Sequence, residues 1–509
     1  MGDYNFVAVS ELTEARLDSS YYATRFLRNE KRLASFGIDR KSVSDLAGLC
    51  NCGATPKQVV YGHTGVGLIR TTDVRPNEFL DDDILRTTDL TSVSLRESIQ
   101  VRSGDIVYTM SGTIGYCCVI PQTPEVFSFS NTIVRLRLPK TTVDDPHYVS
   151  TFFNCKYGYE QSLRLVSGGI QGHVMPNPFK TLLISLPDRH LQRYIGDKVR
   201  QAERLRARAK GCLSTLVKFV ETPESEQALA TRSKMTGRIP PGLLTARLDA
   251  KYYGNHSVEV LRVAQTATES IGSLLLSISN GFEERSFCSE GVPYVTVSEV
   301  SSGRLILSSA PRISPDVEIP RKAYINERCV LVVRTGSIGT AVKVDRRDTA
   351  AVISSHLIRL EFDSEATACA VAAFLSSPSG KVLQHKISYG AVQPQIGQDE
   401  LICLPVPDHV LEEAEHILQL TKSREDGIRL SQSLVSAAKL LVESLIEGQI
   451  TEVQLIAAQQ ALEAGDDSLD RVILARLKTD GLDGAGEPLF PDLDQLYDLL
   501  ERAQPESGA

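Results

Sequence analysis

The sequence predicts an α+β fold in which one mixed domain is built twice, each copy followed by a long helix, with a small acidic helical tail at the end. Three observations carry this prediction: an internal repeat, a change of hydrophobic period after each copy, and a charge imbalance confined to the residues after Gln449. The repeat is the strongest. ARLDSSYY (Ala15–Tyr22) returns as ARLDAKYY (Ala246–Tyr253), GLIRTTDV (Gly67–Val74) as PYVTVSEV (Pro293–Val300), and SGTIG (Ser111–Gly115) as TGSIG (Thr335–Gly339). SNTIVRLRL (Ser130–Leu138) then matches SSHLIRLEF (Ser354–Phe362), and LISLPD (Leu183–Asp188) matches LICLPVPD (Leu401–Asp408). The offsets drift one way, 231, 226, 224, 224 and about 220, as they do when a duplicated domain has lost a few loop residues.

Up to Asp188 the chain reads as short β-rich runs, such as Gly104–Met110 and Thr132–Leu138, punctuated by Gly, Pro, Ser and Asn. From Arg189 the period changes: Ile195, Val199, Ala202, Leu205, Ala209, Cys212, Leu216 and Phe219 recur at steps of 3 and 4. That stripe predicts one helix of about 33 residues, roughly 50 Å long at 1.5 Å per residue. It ends at the breaker Glu221–Glu226, which contains Pro223. A second stripe, Leu434, Ala438, Leu441 and Leu445 beside Ile428, Val435 and Val442, follows the second copy, with Gly427 a candidate interruption. The first helix is rich in bases and the second in acids, so the two are expected to pair as an antiparallel coiled coil. The predicted boundaries are 1–188 and 227–408 for the mixed domains, 189–226 and 409–448 for the helices with their linker, and 449–509 for the tail.

The bulk composition is that of an ordinary globular protein, with 42% hydrophobic and 23% charged residues over 509 positions. The net charge of −8 belongs to the tail, where thirteen acids face four bases, so the body is close to neutral and local basic patches are not excluded. The tail reads as two or three short helices without a counterpart in the first half, and is expected to be an appendage. Membrane-length apolar runs are absent, MGDYNFVAVS does not read as a signal peptide, and Phe6 breaks the myristoylation pattern begun by Gly2; the expected location is the cytoplasm. The ten cysteines lack zinc-site spacing and are expected to be small buried hydrophobes.

The common catalytic and nucleotide motifs are missing: no phosphate loop, no H-E-x-x-H and no nucleophile elbow. MPNPFK (Met175–Lys180) approaches the Asn-Pro-Pro-Phe loop of adenine amino-methyltransferases but lacks the second proline, and its counterpart QPQIGQDE (Gln393–Glu400) is unlike such a loop. Asp316, Glu318 and Lys322 loosely echo a nuclease set that the first copy lacks. No residue is assigned to catalysis or to a metal.

Two polar loops remain in each copy. The SGTIG and TGSIG turns offer exposed amides together with Ser111 and Thr113, or Arg334, Thr335 and Ser337, as donors to phosphate oxygens, and arginine also suits guanine. The loops SGGIQGHV (Ser167–Val174) and SYGAVQPQ (Ser388–Gln395) carry Gln171, His173, Tyr389, Gln393 and Gln395, side chains that pair with adenine edges or lie against sugar and base. Arg70 and Thr296 are equivalent between copies but different in kind, as two readers of two sequences require.

The doubled (S/T)-G-(T/S)-I-G turn, the doubled strand ending in (D/E)V, the Leu-Pro ends before each helix and their order resemble the specificity subunit of type I restriction-modification systems. The resemblance covers about Tyr4 to Gln449. It implies two target-recognition-type α/β domains that read the halves of a bipartite double-stranded DNA site, with the helical pair fixing their distance. It also implies that the chain itself is not an enzyme. Adenine methyltransferase subunits, carrying S-adenosylmethionine, would dock on the helices, and a restriction or translocase subunit would join in some systems. Two features depart from the family: Arg328-Cys329 replaces the usual Gly-Asp seen at Gly104-Asp105, and the acidic tail is longer than the family needs. Specificity-type subunits of related methylation-based phage-defence systems share the resemblance, and there the tail would dock an additional partner; the alternative is a small helical cap packed on the coiled coil. The reading from another class is a two-domain protein-binding scaffold without DNA recognition.

Overall fold

The computed structural model describes residues 7, 12, 16–54, 59–62, 65–81, 84–89, 97–168, 172–232, 244, 245, 247, 249–390 and 392–504. Its chain divides into two compact units, one made of residues 1–208 with 427–509 and the other of residues 209–426.

The first unit contains strands β1 (Leu49–Cys52), β2 (Val59–Gly62), β3 (Val66–Ile69), β4 (Arg86–Asp89), β5 (Gln100–Val101), β6 (Ile106–Thr109), β7 (Cys117–Val119), β8 (Phe127–Phe129) and β9 (Ile133–Arg137). They form one sheet in the order β7-β6-β9-β1 and a second in the order β2-β4-β3-β8-β5. Helices α1 (Pro146–Asn154) and α2 (Lys156–Arg164) follow, and then the long helix α3 (Arg189–Val220). Alternation is weak in these strands because they are covered on both faces: Ile106 to Thr109 are all buried.

The second unit repeats this topology. Strands β10 (Leu275–Asn280), β11 (Val292–Val295), β12 (Arg312–Ile313), β13 (Cys329–Val333), β14 (Ala341–Lys343), β15 (Val352–Ile353) and β16 (Leu357–Phe362) form sheets ordered β10-β16-β13-β14 and β12-β11-β15. β11 pairs parallel with β15 as β3 pairs parallel with β8, a non-local feature that no run of sequence announces. Helices α4 (Glu365–Ser376), α5 (Pro378–Ile387) and the long α6 (Ala414–Glu447) complete the series.

The repeat extends to buried polar details. Arg135 of β9 is fully buried and bonds Asn51 of β1 at 2.7 Å, while Arg359 of β16 bonds Ser279 of β10 at 3.2 Å. Each α1–α2 or α4–α5 corner receives a carboxylate at the start of its second helix. The Lys156 amide donates to Glu443 at 2.7 Å and the Ser379 amide to Glu221 at 2.8 Å, where free helix N–H groups favour negative charge. The departure at Arg328-Cys329 is a rewiring. Asp105 takes Arg137 at 2.6 Å, whereas buried Cys329 leaves Glu361, the counterpart of Arg137, to bond Asn326 at 2.9 Å and Arg359 at 2.7 Å. Burial pushes the Glu361 carboxyl up, but bonds from Asn326, Arg359 and Ser277 outweigh it and hold the group down to about 2.

The expected stripe of α3 is buried from Ile195 to Leu216, and Leu434, Ala438, Leu441 and Leu445 of α6 are buried as well. In the second unit the two helices run antiparallel: Cys212 meets Ser423, Phe219 stacks edge-on to His416 at 4.7 Å, and Val220 meets His409. Gly427 does not interrupt α6. The breaker at Pro223 ends α3 and opens a further helix, Pro223–Leu229, capped by Thr222. The helix charges fasten each helix to its surroundings, as when Arg200 holds Asp145 at 2.5 Å and Glu425 holds Arg304 at 3.0 Å.

The tail is a helical cap packed on the long helices, the second of the two expectations for it, and is not a separate appendage. Its helices α7 (Glu452–Glu463), α8 (Ser468–Ala475) and α9 (Leu493–Arg502) share the core of the first unit through Leu455, Ala458, Ile473, Leu474, Leu496 and Leu500. Lys198 of α3 and Asp470 of α8 form a buried ion pair at 2.7 Å, and the hydroxyls of Tyr194 and Tyr497 also donate to Asp470. Acidity hid this role, because the acids that dominate the composition line the outside of a helical cap whose inner face is apolar. Among the cysteines, Cys288 and Cys403 are exposed rather than buried.

One titration in the second unit has a measurable sign. Burial, helped by Asp345, raises the Asp348 carboxyl to about 6. Its folded value lies above its unfolded one, so stability declines as pH rises through the window from roughly 4 to 6. Asp348→Asn is therefore expected to raise the Tm of this unit at pH 7 and to leave it unchanged near pH 4, as a thermal melt at both values would read.

Candidate nucleic-acid interface

In the first unit β6 ends at Thr109 and leads through Met110 into the Ser111–Gly115 turn, where Gly112 and Gly115 take φ of 73° and 88°. Only glycine adopts such values freely, which is why the motif carries two. The Met110 amide donates to Thr132 at 2.8 Å, and the Val174 amide donates to Met110 at 2.9 Å. Ser111 bridges His173, and Ser167 and His173 exchange both backbone bonds at 2.9 Å. The turn, the Ser130–Thr132 segment and the base of the 167–174 loop are thereby held side by side. Arg70 joins them at the end of β3, since the Ser130 amide donates to Ile69 at 3.0 Å. The Arg70 amide is capped by Asp73 at 2.8 Å, and its guanidinium lies on the same carboxylate at 2.9 Å while its side chain stays 41% exposed.

The second unit makes the same assembly. The Arg334 amide donates to His356 and the Ile396 amide to Arg334, both at 2.9 Å. Thr335 bridges Gln395, and Tyr389 and Gln395 exchange backbone bonds at 2.9 and 2.8 Å. The Ser354 amide donates to Val295 at 2.9 Å, which brings in Thr296, whose amide is capped by Glu299 at 2.8 Å as Arg70 is by Asp73.

The candidate side chains distribute unevenly around these frames. Thr113, Ser337, Tyr389 and Gln393 are exposed, while Arg70, Ser111, His173, Thr296, Arg334 and Gln395 are half-buried. Thr335 is buried, its backbone serving the bridge to Gln395. Gln171 lies outside the described residues. Val392, 98% exposed, marks the tip of the second loop.

Sequence reasoning missed the third member of each frame, Ser130-Asn131-Thr132 and Ser354-Ser355-His356, with Asn131 and His356 exposed beside the glycine turn. The available signal was the unlike residues opening two otherwise matching strands.

Each frame thus presents hydroxyls, amides, an aromatic ring and a guanidinium around a tight backbone turn, the groups that position on phosphates and read base edges. MPNPFK is packing: Phe179 is buried against Tyr108 and Phe153. Asp316 and Glu318 stand on exposed loop, and no group of His, Cys, Asp and Glu among the described residues is placed to hold a metal. Among the described residues no helix is long and apolar enough to cross a membrane.

No protein-family model and no curated protein matches the sequence. Among solved structures the chain is similar to the S subunit of a type I restriction-modification system from M. genitalium, at 13% identity over 80% of this chain and 96% of that one, with a TM-score of 0.38. It is also similar to the HsdS subunit from Thermoanaerobacter tengcongensis, at 14% identity over 81% of this chain and 97% of that one, with a TM-score of 0.27. A third similar chain comes from a type I R-M system described for its complex assembly and conformational transition, at 13% identity, 81% and 98% coverage and a TM-score of 0.29.

Proposed function

We propose that this chain is a DNA sequence-specificity subunit whose two mixed domains each read one half of a bipartite site, while partner adenine methyltransferase subunits, which bind S-adenosylmethionine, perform the chemistry. The observation that carries the reading is one loop frame built twice with unlike side chains at equivalent places: Arg70 against Thr296, Asn131 against Ser355, His173 against Gln395. A conserved frame with changed contact residues is what recognition of two different half-sites requires, since backbone contacts position a reader and side chains specify. Two weak contacts joined in one chain also multiply in affinity when both sites are engaged.

The test is methylome sequencing of cells carrying this gene with its chromosomal neighbours, against a strain lacking this gene alone. A bipartite adenine-methylated motif is expected in the first and absent from the second. Unchanged methylation with the neighbours active, together with no salt-dependent DNA affinity of the purified complex, would replace the reading with a protein-binding scaffold.

A further inference from the structure

Arg16 and Arg247, each from the Ala-Arg-Leu-Asp motif that opens its copy, lie at the root of a candidate recognition loop. Arg247 donates through Nε to Asp249 at 2.8 Å, through Nη1 to the Ile387 carbonyl at 2.7 Å and through Nη2 to the Ser388 carbonyl at 3.0 Å. These carbonyls close the C-terminal end of α5, where four helical acceptors lack intrahelical partners. One residue further the chain enters the loop, and Tyr389 pairs with Gln395. The guanidinium is itself locked. Asp249 accepts the Tyr252 amide at 3.0 Å, the Tyr253 hydroxyl donates to the Arg247 carbonyl at 2.7 Å, and the Tyr252 ring lies 4.6 Å from Arg247 and 3.9 Å from Lys386.

The first copy repeats the device. Arg16 bonds Asp18 at 2.6 Å and the Val166 carbonyl at 3.2 Å, one residue before Ser167 pairs with His173. The Tyr22 hydroxyl donates to the Arg16 carbonyl at 2.8 Å, and Arg164 stands over Tyr21 at 4.3 Å where the second copy has Lys386. A planar fork of five donors suits this task, which a lysine point charge fills only in part.

We propose that Arg16 and Arg247 are positioning residues, each fixing where one recognition loop leaves its helix, so that each governs the reading of one half-site only. The inference rests on the DNA-reading function above and adds residues that need not touch DNA.

The experiment uses the full chain in complex with its methyltransferase partner. In Arg247→Ala, amide exchange at Tyr389, Gln395 and Ile396 is expected to accelerate about tenfold or more, the loss of a charge-assisted bond, while Ser167 and His173 keep their rates. Arg247→Lys is expected to restore part of the protection. In the methylome, Arg247→Ala relaxes the half-site read by the second domain and leaves the other intact, and Arg16→Ala does the reverse. Unchanged exchange in the loop, or equal relaxation of both half-sites, overturns the proposal. So does faster exchange throughout the domain in both Arg247 variants, which marks general destabilisation. If the wild type yields no bipartite motif, the DNA reading falls and the half-site part of the proposal with it, while the exchange data still decide the clamp.

Discussion

Asp470→Ala is expected to cost the first unit about 3–5 kcal/mol, because it strands the Lys198 ammonium in the core without its counter-charge. Lys198 is 0% and Asp470 1% exposed, and the carboxylate also takes the Tyr194 hydroxyl at 2.6 Å and the Tyr497 hydroxyl at 2.5 Å. Denaturant titration of variant and wild type reads the loss as a lower midpoint. Replacing both partners by apolar residues, Lys198→Met with Asp470→Leu, should recover the part due to the stranded ammonium and leave the cost of the Tyr194 and Tyr497 hydroxyls, which lose their acceptor. The sign with pH follows from the carboxyl. Burial pushes it up, but Lys198 and the two tyrosines prevail and hold it below the usual aspartate range. Its contribution is full above the unfolded value near ~4 and is lost as pH falls through the lowered folded value, so the gap between wild type and variant narrows in acid. A loss of under ~1 kcal/mol at neutral pH, the scale of a surface pair, would mean the tail is not anchored through this pair.

Gly281→Ala should be comparably damaging to the second unit. An added Cβ would meet the Ile353 carbonyl oxygen at 2.0 Å and that of Ser354 at 2.5 Å, both backbone atoms that cannot swing aside. Overpacking of this kind costs on the order of 3 kcal/mol. The displaced carbonyls open the Ser354–His356 turn, so the loop frame should move with them and, under the proposed DNA-reading function, the second half-site should be read less strictly. Gly53→Ala makes the same collision with Phe129 and Ser130 and should strike the first half-site alone. Gly211, with open space around it on α3, is the control that tolerates alanine. Equal melting curves for Gly281→Ala and wild type would refute the close approach.

Much of the architecture was legible because duplication supplies its own alignment. The stripes beginning at Ile195 and Leu434 forecast two long helices, since helical periodicity is a local property. The parallel pairing of β3 with β8 was not legible, because it joins strands far apart in the chain. Whether the tail caps the long helices or stands apart was left open for a different reason: composition reports the solvent face of a helix, and one buried aspartate among thirteen acids leaves no mark on it. The candidate site was legible as loops but not as a frame. SGTIG and SYGAVQPQ could each be singled out, yet only the backbone bonds of Met110, Val174, Arg334 and Ile396 show which loops share a neighbourhood. The role of Arg16 and Arg247 lay hidden in plain identity, since a repeated arginine looks the same whether it faces a ligand or holds a helix end.

The make-up of the two units also sets an order of events at the ribosome. Residues 209–426 form a unit whose parts are all translated before the other unit has received its last members, residues 427–509. At ~5–20 residues per second the domain synthesised first waits roughly 15–60 seconds for the later part of α6 and the tail helices that close its core. Over that interval Ile195, Val199, Ala202 and Leu205 lack the partners that finally cover them. The half that is made first is finished last.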